Sequence, residues 1–304
     1  MTATASGPTA DDIARHAETA QTMDASHRMD VARDADDATA PDYSQYADVV
    51  RTSQGRPPVL INHITQDDLT DALSLGWRDF KTAPVYGLFF GLTYAAAGWL
   101  LLAIFYATSL HYVIYPIATG FALVAPFVAA GCYEVSRRLE RGQSLSWGEI
   151  LGAVTNERGR ELGWMALVTT FTLIIWFDFA VFLYVMFFGL KVPAMTELPR
   201  LIFDTPSGAI FFVIGNITGA AIAFFVFSIT VISCPMLMDR EVDFVTAMIA
   251  SVKSVHANPR VMISWAAMIA FLLAVCLSTF FIAMPVLLPF LGHATWHVYR
   301  KAIA

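Results

Sequence analysis

Asp178 is the sole charged residue between Glu161 and Lys191, set in the apolar run Trp176-Phe177-Asp178-Phe179. An ionised carboxylate deep in a bilayer costs about 2.5 to 3.5 kcal/mol even on the milder scales, so such a group is protonated, paired or wet. Asn216, in the next apolar run, reaches a similar depth from the opposite end. An intramembrane hydrogen bond between Asp178 and Asn216 is therefore the expected partnership. Its chemistry would be a proton or solute path; the competing reading is a protonated carboxyl that joins two helices, or one near enough to the surface to reach water.

His293 and His297 are spaced i, i+4 and share one helix face, an arrangement that can offer two imidazoles to a metal or a haem. Glu134, Asp239, Cys132 and Cys234 fall near the same level and would extend it to a mixed site. Against this, Trp296 and Tyr299 beside Arg300 also compose an interfacial anchor belt in which histidine is ordinary. Arg78 and Asp79, in Gly76-Trp77-Arg78-Asp79, suit a lipid headgroup or a partner, or a plain surface ion pair. Gly87, Gly91, Ala95 and Gly98 form one small-residue stripe and Gly215, Gly219 and Ala223 another, for close helix packing inside a bundle or across a homodimer. There is no phosphate-binding loop with lysine, no HExxH and no nucleophile elbow, so no catalytic residue is assigned and no enzyme activity is expected.

The elements that must carry these residues are built for lipid. Of 304 residues 57% are hydrophobic and 14% charged, with mean hydropathy +0.58; soluble domains carry about 25% charged residues. The polar residues are concentrated at the start: residues 1–57 hold ten carboxylates against five arginines and no Leu, Phe, Trp or Cys. That composition predicts a disordered acidic tail, unsuited to nucleic acid, before a helical membrane domain over 58–304. Met1 to Asp12 has neither the positive start nor the apolar stretch of a secretory signal. The three cysteines sit in apolar segments without a CxxC pair, so no disulfide framework is expected.

The chain reads as an all-α membrane protein with six transmembrane helices, near 84–107, 112–134, 162–188, 206–236, 260–278 and 281–301. Thr65-Gln-Asp-Asp68 and Ser146-Trp-Gly-Glu149 are capping boxes that start amphipathic helices, and Thr205-Pro206 is an N-cap followed by proline in the first turn. A third amphipathic stretch covers Asp239 to Arg260. Ala72, Arg78 and Pro84 align with Ala247, Lys253 and Pro259, and Pro126, Tyr133 and Arg137 with Pro289, Trp296 and Arg300. Three repeated units of amphipathic helix plus helical hairpin account for this pattern, five spans with a re-entrant end being the rival count. Basic residues lie twelve to one side and two, Lys191 and Arg200, to the other, which places both termini in the cytoplasm. Asn216-Ile-Thr218 matches a glycosylation sequon but lies inside a span.

Two segments carry a resemblance. Ile61-Asn62-His63-Ile64-Thr65, Gly76-Trp77-Arg78-Asp79-Phe80, Ala83-Pro84 and Tyr86-Gly87-Leu88-Phe89-Phe90-Gly91, together with Pro289-Phe290-Leu291-Gly292-His293-Ala294-Thr295-Trp296-His297, resemble the bacterial domain-of-unknown-function family 2189. The resemblance implies an integral membrane protein over about Ile61 to Ala304, in the bacterial inner membrane, and assigns no activity or site residue. The leading expectation is a non-enzymatic partner, scaffold or assembly factor of a membrane complex, its three amphipathic helices offering apolar surface to another membrane protein. A small-solute or proton-coupled transporter using Asp178 is the alternative. A haem or metal redox protein using His293 and His297 is the third; otherwise no cofactor is expected, and oligomeric state stays open.

Overall fold

The computed structural model describes residues 45–50, 57–107, 128–155, 157–190 and 197–304. The chain separates into two units, Met1–Gln45 and Tyr46–Ala304, and the elements described below belong to the second. Most of the acidic tail expected over 1–57, the first part of the span expected at 112–134, and Lys191 lie outside the described residues.

The second unit opens with an antiparallel pair of short strands, β1 (Asp48–Val50) and β2 (Val59–Ile61). β1 falls within the stretch whose composition reads as tail. Alternation explains the strand: Val59 and Ile61 point into the core while Lys253 holds Asp48 at 3.0 Å. The other edge of β2 takes up the end of the chain, with Ile61 bridged to Ile303, Asn62 N–H donating to Ala302 O and Ala304 N–H to Leu60 O.

Helix α1 (Gln66–Thr82) starts at the Thr65–Asp68 capping box, and its apolar stripe Leu69, Ala72, Gly76, Phe80 is buried. Ala83 ends it and α2 (Pro84–Ala107) begins on the proline. The same junction recurs between α9 (Phe244–Ala257) and α10 (Pro259–Ser278): the linking residue has φ −129°, ψ 54° at Ala83 and φ −128°, ψ 52° at Asn258. Proline needs no backbone donor in a first turn, so each amphipathic helix can stop and an apolar one start after a single residue.

Between these lie α3, described over 128–140, α4 (Trp147–Thr155), α5 (Glu157–Phe188), the short α6 (Leu198–Phe203), α7 (Pro206–Thr230) and α8 (Ser233–Asp239). Thr205 caps α7 by accepting from Gly208 N–H at 3.0 Å. Helix α11 (Met284–Ala302) completes the unit.

Four stretches among the described residues are long and apolar enough to cross a bilayer: Pro84–Ile104, Arg160–Phe188, Pro206–Asp239 and Pro259–Ser278. They coincide with the first, third, fourth and fifth expected spans. α11, where the sixth was expected, is helical but is not among the four, because His293, His297, Arg300 and Lys301 occupy its second half. Close approaches fix its course. A Cβ on Gly91 would lie 2.6 Å from Pro285 O, and one on Gly76 2.6 Å from Ala294 N. A Cβ on Gly98 would meet the Phe281 ring and one on Gly87 would touch Pro289. α11 therefore runs antiparallel to α2 with its first half and lies along α1 with its second. The turn from α10 reaches the level of Trp99, whose indole N–H donates to Phe280 O at 2.8 Å.

Burial of the amphipathic helices is internal. α1 packs on α11, and α9 buries Ala247, Ala250, Ser251, Ser254 and Val255 in the core shared with α8 and α10. Much of the apolar surface that the sequence offered to a partner on these two helices is taken up by the protein itself, while Trp77, Val245 and Ile249 stay exposed.

Candidate functional site

The face of α1 that meets α11 includes a carboxylate. Asp79 is 3% exposed, and it sits one turn after Gly76, where the missing side chain lets α11 come close. His297 Nε2 lies 2.7 Å from Asp79 Oδ2, and the Ser136 hydroxyl of α3 donates to the same oxygen at 2.8 Å. Ser136 Oγ is also 2.8 Å from His293 Nδ1. A hydroxyl has one proton; because Ser136 gives it to Asp79, its lone pair accepts from His293 Nδ1–H. That assignment leaves His293 Nε2 as the unprotonated nitrogen, and it is buried with no hydrogen-bond partner among the described residues. On His297 the order is reversed: it is Nε2 that faces the carboxylate and donates to it. Burial opposes ionisation of Asp79, but the hydrogen bond and charge of His297, with the Ser136 hydrogen bond and the nearby His293, outweigh it and hold the carboxyl below its ordinary range.

Two cavities flank this four-residue chain. Asp79 and His297 line a polar one of about 460 Å³ between α1, α3 and α11, together with Arg78, Glu140, Arg300 and Lys301. The other, about 270 Å³, is bounded by Tyr94 of α2, Cys132 of α3, Ile269 of α10 and Gly292 and Thr295 of α11. Cys132 is one turn before Ser136, and Gly292 and Thr295 flank His293 in sequence, so the hydrogen-bonded chain reaches from the charged cavity to residues next to the lining of the apolar one.

Around the polar cavity most of the ions are closely paired. Glu134, fully buried, takes a two-pronged contact from Arg137 at 2.7 and 2.7 Å and a third from Arg138 at 2.7 Å. Asp239 accepts from Arg141 and the Tyr299 hydroxyl at 2.7 and 2.8 Å, and Glu140 from Trp296 Nε1 and Arg300 Nε at 2.9 and 3.0 Å. The two-pronged Arg137–Glu134 contact lies within α3, while the bonds at Asp239 and Glu140 tie α3 to α8 and α11.

Residues 114–239 match the family described as predicted integral membrane protein (DUF2189). This is the family that the segments at 61–91 and 289–297 resemble, and the matched stretch lies between them. Of the four network residues Ser136 falls within it, while Asp79, His293 and His297 lie outside. No curated protein and no solved structure matches the chain.

The sites read from the sequence fare differently. Asp178 and Asn216 are both on exposed faces of their helices, and Asn216 Nδ2 donates to Phe212 O of its own helix at 2.7 Å. No hydrogen bond joins the two among the described residues. His293 and His297 do meet in one network, but with Ser136 and Asp79 as their partners. Glu134 and Asp239 are taken by arginines, Cys132 and Cys234 are buried thiols, and among the described residues no group of three or more His, Cys, Asp or Glu is arranged to hold a metal. Gly87, Gly91 and Gly98 face α11 and the turn before it; Gly219 faces the Trp176 ring of α5, and Gly215 is looser, 3.8 Å from Leu183. Arg78 and Asp79 are a weak pair, 4.0 Å apart, since Asp79 is engaged elsewhere. Asp79 and Ser136 are the network members that the sequence reading did not assign to a buried site.

Proposed function

We propose that the protein is a multi-pass membrane protein that binds and releases a proton at the Asp79–His297 pair and couples this to movement of a small solute. The observation that carries the reading is a buried carboxylate–imidazole pair on the wall of a polar cavity, backed by Ser136 and His293 at the edge of an apolar one. Asp79 orients His297 and compensates the charge of its imidazolium, the arrangement by which a carboxylate prepares a histidine for proton exchange. The proton-coupled reading thereby moves from Asp178 to Asp79. The scaffold reading loses its support in part, because α1 and α9 bury their apolar faces inside the unit.

In this reading the α1 and α9 layer, with most of the basic residues, faces the cytoplasm of a bacterial inner membrane. Pairing of Asn62 with Ala302 and of Leu60 with Ala304 supports an N-in, C-in arrangement of the helical domain and an even number of crossings, α10 and α11 being the last hairpin. The recurrent helix–linker–proline junctions at Ala83 and Asn258 support repeated units.

The test is proton uptake by purified protein in liposomes containing a pH-sensitive dye, comparing wild type with His297→Gln and Asp79→Asn. Uptake that falls at least about tenfold in both variants is expected for a proton-transfer group. Equal uptake in wild type and His297→Gln would remove the proposal.

A further inference from the structure

Among the described residues, Arg78 is the cation of the polar cavity with the weakest pairing. Arg300 is held by Glu140 at 3.0 Å and lies 3.4 Å from Asp239, and Lys301 by Asp68 and Asp71 at 3.0 and 3.1 Å. Arg78 differs from both. Its guanidinium makes no hydrogen bond among the described residues, and its nearest carboxylate, Asp79, is 4.0 Å away and already accepts from Ser136 and His297. With its side chain 68% exposed, the guanidinium is free to turn its fork toward a ligand. Its place in the fold limits what that ligand is. Arg78 is six residues before Pro84, where α2 enters the apolar layer, and Trp77 beside it packs on Phe290 with Lys81 over its ring. The cavity therefore opens at the membrane entry, where Trp and Lys side chains gather.

We propose that this cavity binds a phosphate-type oxyanion through Arg78, with the His297 ring as its second contact. A planar five-donor guanidinium matches two oxygens of a phosphate at once, and an imidazolium beside it adds a single charged donor. The inference rests on the proton-binding reading in that the second contact is the ring which takes the proton. Two sources share the chemistry: inorganic phosphate from water, and the headgroup of an anionic lipid.

The experiment uses the full chain in phosphatidylcholine nanodiscs. Equilibrium binding of radiolabelled inorganic phosphate is measured in one arm; in the other, discs doped with phosphatidic acid are analysed by native mass spectrometry for retained lipid. Binding in at least one arm that weakens at least about tenfold in Arg78→Gln, with partial recovery in Arg78→Lys, is expected for loss of a charge-assisted contact. Phosphate binding alone assigns a soluble ligand, and lipid retention alone assigns a headgroup. Absence of binding in both arms overturns the proposal, as does binding unchanged in Arg78→Gln. Proton uptake by Arg78→Gln separates the two readings: uptake kept while anion binding is lost is expected, and uptake missing in wild type itself defeats the function proposed above without touching the Arg78 result.

Discussion

Asp79→Asn keeps the side chain's shape and removes its charge at a position that is 3% exposed. Two hydrogen bonds converge on Oδ2, from Ser136 and His297. A hydrogen bond to a charged group contributes about 1.5 to 3 kcal/mol and a neutral one about 0.5 to 1.5, so removing the charge from both lowers stability by about 2 to 3 kcal/mol. Asp79→Ala leaves the donors buried and unpaired and should lower it by about 3 to 5 kcal/mol. The assay is unfolding in mixed micelles by a denaturing detergent, followed by circular dichroism, with Ser136→Ala added to complete a double-mutant cycle. Because burial and hydrogen bonds together leave the Asp79 carboxyl below its ordinary range, its contribution is complete above the unfolded-state value, about 3.9, and is lost as pH falls through the lower folded-state value. The gap between wild type and D79N should therefore close in strong acid, where the wild-type carboxyl is protonated as well. A D79N protein within about 0.5 kcal/mol of wild type at neutral pH, the usual scatter of inconsequential surface changes, would refute the account of the network.

Three further outcomes are expected. Gly91→Val places a Cβ against the Pro285 backbone, which cannot yield as a side chain would, and should destabilise by about 1 to 3 kcal/mol or more in the same assay; Gly215→Ala, with 3.8 Å to Leu183, should lie within about 0.5 kcal/mol of wild type. Asn258→Ala removes an acceptor for Ile64 N–H and donors to Asn62 O and Ser254 O, and a loss of about 2 to 3 kcal/mol should appear as faster proteolysis near β2. Asp178→Asn should leave liposome proton uptake at the wild-type level, since that carboxylate takes no part in the buried network; a clear loss would return the site to α5.

The helix starts were legible because they are local. Thr65, Ser146 and Thr205 announce themselves within four residues, and Pro84, Pro206 and Pro259 each open an apolar helix where the composition changes. The last helix was harder to read. Length and apolarity of 281–301 suggested a crossing; they gave no sign that its polar half is buried against α1, a contact between positions more than two hundred residues apart that no periodicity encodes. His293 and His297 were visible as one face of a helix, whereas their partners were not. Asp79 did leave a trace, since Leu69, Ala72, Gly76, Asp79 and Ala83 repeat every three or four residues and place a carboxylate on the buried stripe. Its neighbour Arg78 made a surface pair the simpler reading. Ser136 lies among arginines that mark membrane orientation, and nothing local distinguishes it. Asp178 stood out by isolation alone, and isolation in sequence does not imply enclosure in space.

The contact between α1 and α11 also sets a timetable. His297 is 218 residues downstream of Asp79, and at typical synthesis rates of about 5 to 20 residues per second the ribosome takes roughly 10 to 40 s to reach it. Throughout that interval the growing chain must park α1, greasy stripe and carboxylate included, without the helix that will cover it. An interfacial resting place beside the bilayer suits a segment of this kind, and closing the wall around Asp79 becomes a late event in biogenesis.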